Sequence, residues 1–159
     1  MGDARILAVA AATGRVGYIV LQDAEPFDWG ISDKAAKSPV DAAEVTQKWM
    51  CRFKPTHFVT EDTRLANRKG DATRDIIRAM ETVGEHAYVL DIAMPHRHLF
   101  PSKYEEAAAL GERFPIIAHL VPRKRTLLDN EPRETVIFEA LSLAAAVLDG
   151  LALPDSSAK

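Results

Sequence analysis

From residue 6 to residue 12 the chain reads Ile-Leu-Ala-Val-Ala-Ala-Ala, with no polar interruption. A short unbroken apolar run of this kind predicts a strand covered on both faces. Thr13 and Gly14 supply a turn, and residues 16–21 form a second apolar run. The two runs together predict a β-hairpin. Residues 27–31 predict a short third strand, interrupted by Gly30. The apolar period then lengthens: Ala42, Val45, Trp49 and Phe53 recur at helical spacing until Pro55 stops them. Ser38 suits the cap of that helix, Pro39 its first turn, and Asp41 its positive end. Residues 57–61 predict a strand. Asp71 then opens a helix carrying Ile76, Ile77, Met80 and Val83 and ending at Gly84. Residues 88–94 predict a further strand, closed by Pro95. Ser102 and Glu105 form a capping-box pattern ahead of Tyr104, Ala108 and Phe114. Residues 116–121 predict a last strand and residues 134–148 a long final helix.

A hairpin meander followed by alternating helices and strands predicts an α/β fold. Its mixed sheet has an antiparallel meander, then parallel strands, and helices on both faces. No repeat or linker divides the chain, so residues 1–153 are expected to form one domain, with 154–159 as a short polar tail. A hydrophobic content of 47% in 159 residues is enough for one core without a metal or disulfide staple. Cys51 is the single cysteine, which excludes an intramolecular disulfide and a cysteine-rich zinc site. The net charge of −3 argues against strong non-specific nucleic-acid binding, although a local basic patch can sit on an acidic protein. No signal-peptide pattern and no membrane-spanning apolar stretch are seen, so the expectation is a soluble cytoplasmic protein.

Among the charged residues, Glu139 carries the most information. It is the only charge between residues 136 and 148, in an otherwise apolar helix. A carboxylate buried there costs several kcal/mol unless it is paired, bound to metal or protonated. The ordinary alternative is a position on the exposed rim of the helix. Glu61 ends its strand, where α/β sheets place ligands. Neighbouring strand residues face opposite ways, so Glu61 and Asp62 cannot both point to one site. Asp62 reads as a loop or helix-capping carboxylate. Asp91 is alone in an apolar strand and is either a third acid or a solvated edge residue. Asp129, Glu131 and Glu134 read as dipole partners of the last helix. Basic residues gather at Arg64, Arg68, Lys69, Arg74 and Arg78, and again at Arg123, Lys124 and Arg125. Such clusters are either solvated loop charge or a track for a phosphate backbone. His96, Arg97 and His98 lack the spacing and partner cysteines of a zinc site. Trp29 and Trp49 read as core or interface residues.

Three segments resemble the RuvC branch of the RNase H-like superfamily, the Holliday-junction resolvases. The first runs from Ile6 through Ala10 and Thr13-Gly14 to Gly17-Tyr18. The second is Phe58-Val59-Thr60-Glu61. The third is Arg123-Lys124-Arg125 followed by Ile137-Phe138-Glu139-Ala140-Leu141-Ser142-Leu143-Ala144. The resemblance implies a Mg²⁺- or Mn²⁺-dependent endonuclease for branched or structured DNA. Glu61 and Glu139 would be its catalytic metal ligands, and Arg68, Lys69, Arg123, Lys124 and Arg125 its nucleic-acid contacts. Two positions depart from the family pattern. Ala10 stands where the family's first strand ends in Asp, and Glu139 stands in place of Asp. Such enzymes use two divalent ions held by convergent carboxylates, so Ala10 implies weak or lost metal binding and impaired or absent cleavage. The alternative is a non-catalytic binding or assembly module, acting as a homodimer. It is favoured by Ala10, by the acidic net charge, and by Val136 one helical turn before Glu139 where another acid would be useful.

Overall fold

The computed structural model describes residues 4–64, 69–95, 100–122 and 132–152. Three strands form the meander: β1 (Arg5–Ala12), β2 (Arg15–Gln22) and β3 (Glu25–Ser32). The β1–β2 turn is tight because Gly14 takes a φ of 82°, a left-handed conformation that glycine adopts without steric penalty. A short 3-10 turn, Lys34–Ala36, leads into α1 (Pro39–Phe53). The Ser38 side chain accepts a hydrogen bond from the Asp41 backbone N–H, as the capping pattern requires. Next come β4 (His57–Glu61), α2 (Asp71–Glu85), β5 (Leu90–Met94) and α3 (Lys103–Arg113). Ser102 caps α3 through the Glu105 N–H. The chain then enters a 3-10 helix, Pro115–Leu120, and later α4 (Thr135–Ala152).

The sheet order is β3-β2-β1-β4-β5. β1 pairs antiparallel with β2 and parallel with β4, and β4 pairs parallel with β5. Strand alternation divides the core between two faces. Leu7, Val9, Val20 and Phe58 pack under α1 and α2, where Trp49 also meets the Tyr18 ring with centroids 4.6 Å apart. Ile6, Ala8, Ile19 and Val59 pack under α3 and α4 together with Phe138, Leu141 and Ala144. Trp29 lies at the edge of that second cluster. Among the described residues no helix is long and apolar enough to cross a membrane.

One predicted strand is corrected. Residues 116–121 lie in and just after the 3-10 helix Pro115–Leu120 and join no strand. Phe114 and Ile117 are buried while the two residues between them are exposed, and Leu120 is partly covered. That spacing of three matches the turn of a 3-10 helix. A short apolar run is equally compatible with either element, and here packing on α3 selects the helix. Gly111 of α3 approaches Val121 so closely that a Cβ there would lie 2.4 Å from its Cγ2.

A second glycine positions α4. A Cβ on Gly17 would stand 2.7 Å from Val136 Cγ1 and 2.9 Å from the Val136 carbonyl carbon. The first turn of α4 therefore rests directly on β2, and Glu139 is carried one turn further along. Gly17→Ala should overpack this contact and lower the unfolding free energy by about 1–3 kcal/mol, read as an earlier urea midpoint. An unchanged midpoint would mean that α4 has room to slide.

Candidate functional site

Position 10, Glu61 and Glu139 share one face of the sheet. Ala10 belongs to the buried cluster beneath α4. On β4, Val59 belongs to the same cluster, and alternation returns Glu61 to that side two residues later. The β1–β4 register pairs Ala8 with Val59, so Ala10 and Glu61 each lie two residues beyond that pair. Both stand at the C-terminal ends of their strands, and Glu139 descends onto them from α4.

The two glutamates meet through Lys69. Its ammonium lies 3.3 Å from Glu61 Oε1 and 3.0 Å from Glu139 Oε2. It also donates to the Ala11 carbonyl at 2.5 Å. All three side chains are largely covered, with 17% of Lys69, 7% of Glu61 and 19% of Glu139 exposed. Burial works against the lysine charge, but Glu139 and then Glu61 outweigh it and hold the ammonium pKa above the ordinary lysine value. The trio carries a net charge of −1. The lone acid of the apolar helix thus finds an opposite charge, and it comes from a residue 70 positions away.

The neighbouring acids point elsewhere. Asp62 accepts hydrogen bonds from the Arg64 backbone N–H at 2.9 Å and from its guanidinium at 3.0 and 2.9 Å. That guanidinium holds the Asp62 carboxyl below the usual carboxylate range. Asp62 therefore closes a local turn, and Glu61 alone of the pair faces α4. Asp91 sits on the edge strand β5 in register with Phe58, against Gly84 of α2 on the opposite face. It supplies no third acid to Glu61 and Glu139. Its Oδ1 is buried and meets no hydrogen-bond partner among the described residues. Burial, with a contribution from Glu85, pushes the Asp91 carboxyl up.

A carboxyl raised in this way binds its proton more tightly folded than unfolded, so its ionised form costs stability at neutral pH. Asp91→Asn should therefore melt at a higher temperature than the wild-type chain at pH 7. That gain should vanish as the pH falls below the unfolded carboxyl pKa, where both states are protonated. A lower melting temperature at pH 7 would show that the ionised group has a favourable partner.

Of the residues read as nucleic-acid contacts, Lys69 is engaged in the site as described. Arg68, Arg123, Lys124 and Arg125 lie outside the described residues, as do His96, Arg97, His98, Asp129 and Glu131. Glu134 directly precedes α4, and its carbonyl accepts from the Ile137 N–H at 3.0 Å. Arg78 pairs with Asp75 at 3.6 Å.

A resident two-ion centre needs several convergent carboxylates. Among the described residues two carboxylates converge, position 10 contributes a methyl group, and an ammonium lies between the acids. Among the described residues no group of three or more His, Cys, Asp and Glu could hold a metal ion. The donor set that the described residues supply does not fit the pair of Mg²⁺ or Mn²⁺ ions that the sequence resemblance implies.

Sheet order and helix placement are those of an RNase H-like fold of the RuvC resolvase type. The fold is similar to Thermus thermophilus RuvC, with a TM-score of 0.54, 12% identity, and 92% of this chain and 96% of that chain covered. It is similar to T. thermophilus RuvC in complex with Holliday junction substrate, with a TM-score of 0.55, 11% identity, and 92% and 96% covered. The fowlpox virus resolvase, in complex with Holliday junction DNA, gives a TM-score of 0.63 at 14% identity, with 94% and 99% covered. No protein-family model and no curated protein sequence matches the chain.

Proposed function

We propose that this chain binds branched or structured DNA and holds it without efficient cleavage. The similarity to junction resolvases spans nearly the whole of both chains, which supports a common way of presenting the sheet face to DNA. The observation that carries the non-cleaving part is the state of that face. Glu61 and Glu139 converge there, Ala10 occupies the third position, and the Lys69 ammonium bridges the two acids. Hydrolysis by the two-ion route needs carboxylates free to take up metal, and these two are already bridged by an ammonium of the same chain. Binding makes no such demand, because affinity for DNA rests largely on phosphate contacts and shape.

The test is a mobility-shift titration of a four-way junction against a linear duplex with the same arm sequences, at fixed salt and with EDTA present. The junction should be retained at least about tenfold more tightly than the duplex. Equal retention of both, or retention of neither, would overturn the reading. The raised salt sensitivity of a phosphate-dominated complex should be visible in the same series.

A further inference from the structure

We propose that Lys69 is the resident cation of the Glu61–Glu139 pair, and that a divalent ion can enter this site only when the lysine is withdrawn. Three oxygen atoms converge on the lysine nitrogen. Glu61 Oε1, Glu139 Oε2 and the Ala11 carbonyl oxygen all lie within 3.3 Å of the Lys69 nitrogen, the last two at 3.0 and 2.5 Å. An ammonium donates and cannot accept, so it is satisfied where acceptors converge. An all-oxygen cluster that includes two carboxylates is also the environment that hard divalent cations select.

The two occupants exclude each other. Hard divalent cations bind oxygen directly, Mg²⁺ at roughly 2.0–2.1 Å, so an ion held by the same atoms would need the space that the Lys69 ammonium fills. Charge balance argues in the same direction. With lysine present the cluster holds −1, and without it two covered carboxylates face each other with −2. The methyl group of Ala10 fits this arrangement, since a third carboxylate on the shared face would leave one lysine to balance three acids. The Ala11 carbonyl becomes a predicted ligand of the emptied site, a role that no carboxylate motif would reveal.

The inference rests on reading Glu61 and Glu139 as the resolvase-type site, but not on DNA binding. Its test contains no DNA, so failure in the mobility-shift series and failure here are separate results. MnCl₂ is titrated into the wild-type chain, Lys69→Met, and Lys69→Met/Glu139→Gln. Free Mn²⁺ is followed by electron paramagnetic resonance, and each chain is melted by circular dichroism with and without the ion. Lys69→Met should take up a single Mn²⁺ at least about tenfold more tightly than the wild-type chain, with an upward shift in melting temperature. The double variant should fall back to the wild-type level. Equal uptake by wild type and Lys69→Met would overturn the proposal, as would full retention of uptake in the double variant. A folded Lys69→Met that takes up no Mn²⁺ would overturn it too. Should Lys69→Met fail to fold in EDTA, either Mn²⁺ or the added Glu139→Gln change should restore a cooperative melt. Restoration by neither would show that the lysine supports the fold in some other way.

Discussion

Ala10→Asp is expected to destabilise the chain by about 2–4 kcal/mol at neutral pH and to leave a four-way junction uncut, because it adds a buried charge beside an ammonium that two carboxylates already share. Position 10 is 2% exposed and lies beneath α4 on the face that also carries Glu61. The nearby ammonium is already divided between two carboxylates. A third acid would bring the cluster to −2 with little water to screen it. Urea unfolding at pH 7 measures the cost, and a denaturing gel of the labelled junction in Mn²⁺ measures cleavage. Ala10→Asp at wild-type stability would mean that the site still accommodates its missing acid. Cleavage by this single variant would mean that Lys69 yields to metal without being removed.

Lys69→Met is the second large effect. Methionine keeps much of the side-chain length and its packing but removes the charge, which leaves Glu61 and Glu139 facing each other. Removing one partner of a buried ion pair costs about 3–5 kcal/mol, and the partial exposure of this trio reduces the expected loss to about 2–4 kcal/mol. Most of the penalty is repulsion and desolvation of the orphaned carboxylates. Glu139→Gln in the same chain should therefore return part of it, and a double-mutant cycle should show coupling of about 1–3 kcal/mol. Additive losses would mean that the lysine and glutamate act independently, despite their separation of 3.0 Å.

Local rules carried most of the fold. The apolar run 6–12 became β1, and the Gly14 turn closed the hairpin because only a left-handed residue fits there. Ser38 and Ser102 cap their helices through the N–H groups expected of them. The failure at 116–121 was also local in origin. Phe114, Ile117 and Leu120 are apolar at a spacing of three, but Ile116, Ala118 and Val121 fill the gaps with apolar residues too, which hid the period.

The site was legible only in part. A single carboxylate in an apolar helix demands a partner, so Glu139 announced itself, and strand alternation separated Glu61 from Asp62. The partner could not be found in this way. Lys69 is one of several basic residues after β4, and nothing in its neighbours distinguishes it from a solvated or phosphate-binding lysine. Its role depends on the fold bringing β4, α4 and the end of β1 to one point. Asp91 shows the converse. The sequence left it open as a third acid, and the parallel register of β5 with β4 turned it toward α2 instead.

On the proposed reading, this resolvase-type fold holds branched DNA and does not cut it, because its two acids are bridged by its own lysine. The most direct measurement is a single-turnover incubation of the wild-type chain with an end-labelled four-way junction. The protein is first brought to a concentration at which all the junction is retarded, and Mn²⁺ is then added. A retarded junction whose strands all run at full length on a denaturing gel is the expected result. Mn²⁺-dependent nicks that disappear in Glu61→Gln would contradict it.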